Sequence, residues 1–375
     1  MAKKKAKSDP SLYSELTPQV TSSDQIVNTA RRAKWRLTFS GVDVTDSVKK
    51  DLISIEIKDV EDTEADDLQI KLADRDGSWL QNWLNETVSK GAAGAKGMQI
   101  KVKIGSRDHT GKIVEQSNGV FILDSMRHEG PPAVATIKAT SVDFSNTVRT
   151  EKKDKSWKNL KLKKLTQEVA SRGKLKYYYQ PSSNPKFKKI TQKQESDLAF
   201  LIRCARDKGY SVKISGKNMV VYDPKDLEGN AAIVSFTYRD GQYSDWAFDT
   251  GSADECYDYC TVKYTNPKTG KLIKATYKDA SYETNKEHTG LNITNKKVTS
   301  KSEAKTYAMA QLNLKNKFER TVSLTIPGNP SMMSGLTVQL HGCGYWSGKY
   351  MIHEATHSIS SSGYTTRLDM RRINK

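Results

Sequence analysis

The sequence predicts an α+β protein, mainly β, with two related β domains and a small α+β module between them. Three observations carry this prediction. Period-two alternation of apolar and polar residues recurs over residues 35–147 and again from residue 226 to the end, as half-buried strands require. Two helical stripes are concentrated in the stretch between. A pattern of paired strands in the first β region returns, in the same order, in the second.

Residues 1–30 are polar and aperiodic, with Pro10 and Pro18, and read as a flexible arm. The opening MAKKKAK is basic but is followed by no apolar run of the kind a secretory signal needs. The first β domain, residues 31–149, begins with KWRLTFSGVDVTD and LISIEIKDVEDTEADDLQIKLAD. A short amphipathic piece, SWLQNWLNETV, follows, and then MQIKVKIG, GVFILDSMRH and AVATIKATSVDF.

The module, residues 150–225, holds a helix over NLKLKKLTQEVASRGKL, with Leu162, Leu165 and Val169 on its face and Gly173 just past its end. A second helix over ESDLAFLIRCARDKGY carries Leu198, Leu201, Ile202 and Ala205 and stops at Gly209. YSVKISGKNMVVYDP reads as a hairpin turning at Gly216-Lys217. The second β domain, residues 226–375, starts with AAIVSFTYRDG and carries a hairpin insertion near residues 255–290. A helix over residues 300–317 has Ser300 and Glu303 at capping-box spacing and a stripe of Ala304, Tyr307, Ala308 and Leu312. TVSLTIPG, GLTVQLHG, GKYMIHEATHS and GYTTRLDMRR close the chain. The last two form a hairpin through Ser360–Gly363, with Leu368 and Met370 expected on its apolar face, opposite Arg367, Asp369 and Arg371.

The repeat aligns Gly97–Lys103 with Gly335–His341, and Gly119–Leu123 with Gly348–Ile352. It places His128 opposite His357, and Asp124 opposite His353. Both halves of the pattern keep their order, which points to two related domains.

The formal net charge of +18 raises the possibility of a nucleic-acid partner. Basic residues are dense at 152–164 and 185–193, and KLKYYYQPSSNPKFKK mixes them with tyrosines as single-strand binders do. The plainer reading is a solvated loop beside a strand with buried tyrosines, and no recognition helix, RNP motif or zinc finger accompanies it. No apolar run approaches the length of a membrane span. Four scattered cysteines do not make a disulfide framework.

His353-Glu354-Ala355-Thr356-His357 matches the H-E-x-x-H signature of zinc peptidases. That chemistry needs a helix, where residues four apart share one face and reach one ion. On a strand the two histidines stand roughly 13 Å apart. The flanks alternate with period two, and no further ligand follows at a useful spacing, so a strand without metal is expected. Cys256, Cys260, His341 and Cys343 have zinc-ligand composition, but the first pair also falls on a predicted strand. Asp74-Arg75-Asp76-Gly77 lacks the remaining ligands of a calcium loop and reads as a turn. No catalytic, cofactor-binding or metal residues are expected.

The order of domains, together with SWKNLKLKKLTQEVASRGKL (156–175), SDLAFLIRCARDKGY (196–210) and the closing hairpin, resembles the late control gene D family. These are the baseplate hub proteins of contractile phage tails and R-type bacteriocins. The likeness spans residues 31–375; the basic arm and the high lysine content lie outside its pattern. The resemblance implies two tube-type β-barrel domains and a homotrimeric ring between the tail tube and the central spike, with threefold-to-sixfold symmetry adaptation. The implied partners are the spike and tube proteins, with tape measure and other baseplate proteins as further candidates. Nucleic acid would only pass through the channel. The implied location is the virion or tail particle, assembled in the bacterial host cytoplasm. A tail-associated cell-wall-degrading enzyme and a basic nucleic-acid-binding protein are the alternatives.

Overall fold

The computed structural model describes residues 31–62, 65–84, 97–107, 111–141, 147–251, 256–267, 269–279 and 289–373. The arm expected over residues 1–30 lies outside them. In the first β region, β1 (Arg32–Phe39) is met by the two-residue β2 (Val42–Asp43), and β3 (Leu52–Val60) runs against β4 (Asp67–Ala73). β5 (Gln99–Arg107) pairs with β1, and β6 (Ile113–Glu129) turns into β7 (Val134–Thr140). A π-helical turn, Trp79–Leu84, stands where the short amphipathic piece was expected.

β6 belongs to two layers. Residues 113–122 pair with β5, whereas residues 122–129 pair with β7. The sheet thereby folds over one core in which Leu37, Val102 and Phe121 meet Ile57, Ile70 and Ile137. Each such fully buried side chain contributes about 1.5–3 kcal/mol relative to exposure.

The module contains β8 (Lys152–Lys161), helix α1 (Leu162–Arg172), β9 (Lys176–Tyr179), β10 (Lys186–Ser196) and helix α2 (Asp197–Arg206). β11 (Ser211–Ser215) and β12 (Asn218–Tyr222) follow. α1 buries the expected Leu162, Leu165 and Val169. Its left-handed residue is Lys174 (φ 54°), while Gly173 keeps a right-handed φ of −78°. The glycine therefore ends the helix without supplying the unusual backbone angle. α2 buries Phe200 and Cys204 along with Leu198, Leu201 and Ala205, and Ile202 is only half-buried. The β11–β12 hairpin turns at Gly216-Lys217 with Gly216 at φ 56°.

The second β region holds β13 (Val234–Thr237) and β14 (Asp245–Thr250). A small sheet of β15 (Tyr259–Thr265), β16 (Leu272–Lys278) and β17 (Gly290–Ile293) is inserted next. Helix α3 (Lys301–Lys315) packs on that sheet through Ala304, Ala308 and Leu312, so helix and inserted strands share one core. β18 (Arg320–Pro327), β19 (Thr337–His341), β20 (Gly348–Ser360) and β21 (Gly363–Arg372) complete the chain. Leu368 and Met370 are fully buried in the core of this region, on the face expected for them.

The strands of both β regions form one thirteen-stranded sheet, because β20 pairs with β3. Among the described residues its pairings run from β14 at one end to β2 at the other and close neither region into a barrel. The two separate barrels expected from the sequence are thus not formed by these pairings, since the strands that would close each half lie at the junction between the halves or at a free edge.

Candidate functional site

The β20–β3 junction is the place where the two β regions become one body. Its geometry starts from a shared strand plan. Across the first region the pairings set Ile57, Leu68, Ala139 and Leu123 in one row. Across the second they set Phe248, Val322, Met370 and Ile352 in the equivalent row. One residue beyond each row the register slips, at Asp124 in β6 and at His353 in β20. A β-bulge inserts one residue and re-aims those after it, and here it sits at the same point in both plans. Leu123 N–H donates to Met98 O and Ile352 N–H to Leu336 O, both at 2.9 Å, which repeats the correspondence in hydrogen bonds.

His353 and His357 therefore lie on a bulged strand. The His353 ring stands edge-on to Phe318 with centroids 5.0 Å apart, and burial lowers its pKa. His357 is buried with both nitrogens engaged. Met332 O can only accept, so the 3.0 Å contact assigns the proton to Nε2, and Nδ1 accepts from the Tyr364 hydroxyl at 2.9 Å. Burial pushes the pKa of His357 down to about 4. A histidine held in this way has no lone pair left for a metal.

Two buried ionic clusters fasten the junction to its surroundings. Lys213 Nζ, from β11, donates to Asp59 Oδ1 (2.7 Å), Val60 O (2.7 Å) and Ser334 Oγ (3.1 Å), with Asp66 Oδ1 at 3.4 Å. Burial opposes ionisation of Asp59, and the Lys213 charge with its hydrogen bonds outweighs that, holding Asp59 below the usual carboxylate range. Burial pushes Asp66 up to about 6 against the pull of Lys213, with the neighbouring Asp59 charge adding to the rise. In the second cluster Arg371 grips Glu61 with two bonds of 3.2 Å and reaches Glu228 at 2.8 Å. Lys317 Nζ lies 3.3 Å from Glu61 and 3.0 Å from Asp62. The first cluster joins the first β region to Lys213 of the module and Ser334 of the second region, and the second joins it to Glu228, Lys317 and Arg371 of the second region. Arg371 was expected on the face opposite the apolar one, with Arg367 and Asp369. The alternation held, but the face opposite the core is itself covered at that point.

The remaining chemical groups do not converge. Cys260 sits in the core of the inserted sheet, its thiol pushed up to about 11 by burial, whereas Cys343 packs against the core of the second region. Among the described residues no three His, Cys, Asp or Glu side chains gather as a metal site. Asp74 caps the turn after β4, accepting from Trp79 N (2.9 Å) and Leu80 N (3.1 Å), and its Oδ2 lies 2.9 Å from His128. The two lysine-dense stretches pair as the β8–β10 ribbon, where Lys158 faces Lys189 and Lys161 faces Lys186. Tyr177 and Tyr179 of β9 pack on the module core.

The fold is shared with tail proteins of known structure. A prophage MuSo2 43 kDa tail protein from Shewanella oneidensis superposes with a TM-score of 0.69 at 15% identity, covering 91% of this chain and 98% of that one. A tail protein from Neisseria meningitidis, a prophage tail protein from Listeria monocytogenes and a component of a type VI secretion system share the fold. Among curated relatives, a probable baseplate hub protein of Escherichia phage 186 is 26% identical over 90% of this chain and 92% of its own length. A probable baseplate hub protein of Escherichia phage P2 is 28% identical over 63% of this chain, a match spanning only 57% of that relative. A family model described as YQBQ-like matches residues 233–371. These relatives bear out the resemblance to phage baseplate hub proteins read from the sequence.

Proposed function

We propose that the chain is the structural hub of a contractile-tail baseplate, in which three copies form a ring that joins the tail tube to the central spike. The observation that carries this reading is the matched strand plan of the two β regions, down to the bulges at Asp124 and His353. Two similar units per chain place six around the axis of a trimer, so one ring can mate with sixfold tube rings on one side and a threefold spike on the other. On this reading residues 31–149 and 226–375 are two tube-type domains, residues 150–225 the module between them, and the barrel closes only in the ring. The role is structural, with no chemical step. Its partners are the spike and tube proteins, with tape measure and other baseplate proteins around them, and its place is the tail particle after assembly in the host cytoplasm. Light scattering on the purified chain, alone and with the cognate spike protein, tests the stoichiometry. About three times the chain mass is expected in at least one condition; a monomer in both contradicts the reading.

A further inference from the structure

The junction inside the chain supplies a template for a junction between chains. β3 closes on β20 from Val60↔Glu354 to Ser54↔Ser360. By the shared strand plan, the counterpart of β3 is β14, and the counterpart of the second half of β20 is β6 from Ser125 to Glu129. Among the described residues, β14 pairs only with β18, and this part of β6 pairs only with β7. Both edges are therefore available, and they belong to opposite ends of the repeated unit.

The side chains carry the same message. At the internal junction Ile55, Ile57, Ala355 and His357 are all essentially buried. Their counterparts are Trp246, which is 41% exposed, and the half-buried Phe248, Met126 and His128. Tyr238, also exposed, stacks edge-on against Trp246 beside the free strand. An exposed aromatic patch next to an unpaired strand marks an interaction surface. Gly251 N–H already donates to Glu319 O, so alternation turns the backbone groups of Thr250 and Phe248 outward, as those of Asp59 and Ile57 are at the internal junction.

We propose that β14 of one copy pairs antiparallel with residues 125–129 of β6 in a neighbouring copy, in the register of the internal junction, with Asp249 set opposite Arg127. Transferring the pair Lys58↔Thr356 through the strand plan gives Asp249↔Arg127, a match of opposite charges at the centre of the contact. Within its own chain Arg127 is highly exposed and touches Glu129 at 2.7 Å. The contact is head-to-tail, and a ring results when equal steps close. Each region contributes four strands from junction to junction, β6-β7-β4-β3 and β20-β21-β18-β14. The proposal rests on the ring reading and adds to it a residue register.

A cysteine pair tests it. Facing residues in antiparallel strands have Cα atoms about 4.5–5.5 Å apart, within the range of a disulfide. In a chain carrying Cys256→Ser and Cys343→Ser, Arg127→Cys with Asp249→Cys should give covalent dimers and trimers on mild oxidation. Either single cysteine, or Arg127→Cys with Asp245→Cys, should give none. A trimer by light scattering that cross-links only in the control pair, or in neither pair, overturns the register and leaves the ring reading standing. A chain that stays monomeric with and without spike protein overturns both. As a second measure, Asp249→Arg should weaken assembly and Arg127→Asp in the same chain should restore it. Equal loss in single and double variants contradicts the facing pair.

Discussion

His357 is neutral because water cannot reach it, and that makes the protein sensitive to acid. Its folded pKa, about 4, lies below the ordinary value of 6.5. Between these values the unfolded chain binds a proton that the folded chain refuses, so stability falls as pH falls through the window. At pH 5 the cost is about 2 kcal/mol, from 1.36 kcal/mol per pH unit. Asp66 acts oppositely: its folded pKa of about 6 lies above 3.8, so the folded state holds the extra proton and gains stability on acidification between these values. The test is therefore a difference. Urea unfolding of the native chain and of His357→Gln, whose amide nitrogen reaches the position of Nε2 and does not titrate, should diverge as pH drops from 7 to 5; a gap that ignores pH contradicts the assignment. The same histidine explains an expected zinc content near zero. Metal analysis finding about one zinc per chain, lost in His353→Ala, would overturn the strand geometry. Leu368 gives a third residue-scale test. Leu368→Asp places an unpartnered carboxylate in the second core, a penalty of several kcal/mol, while Arg367, paired with Asp369 at the surface, tolerates Ala. Loss of soluble protein in the first and normal circular dichroism in the second are expected. The reverse pattern contradicts the face assignment.

At the scale of elements, alternation made most strands of both β regions legible, and helical stripes located α1, α2 and α3. The Ser300 cap is formed as its spacing implied, with Glu303 N–H donating to Ser300 Oγ at 3.1 Å and Thr299 N–H to Glu303 at 2.9 Å. Ser300→Ala should cost about 1 kcal/mol in thermal unfolding, the usual worth of such a cap; an unchanged melting curve argues against it. The β8–β10 ribbon escaped the sequence reading because eleven of its twenty-one residues are charged. A ribbon with lysines facing lysines shows little apolar alternation to read. Arg371 escaped for a different reason. Strand alternation says which side it takes, and only the long-range approach of Glu61 and Glu228 says that this side is covered. Arg371→Ala leaves Glu61 buried with Lys317 as its remaining cation and should cost on the order of 3 kcal/mol. Arg371→Ala combined with Glu61→Gln should recover part of that. Two equal losses would show that the pair contributes little.

For the whole molecule, the repeat was visible in the sequence as two aligned strand pairs, because glycines and alternation survive divergence. The joining of both regions into one sheet was not visible, since it depends on contacts between residues some three hundred positions apart, such as Val60 and Glu354. That joining gives the proposed trimer its physical basis: a unit that already closes one junction with its own second half presents two further edges, the ones the proposed contact would join. Electron microscopy of the purified chain with its spike protein addresses this claim most directly. The account predicts ring-shaped particles of three chains in which six similar lobes surround one axis. Isolated monomers, or a twofold dimer burying the same edges, would contradict it.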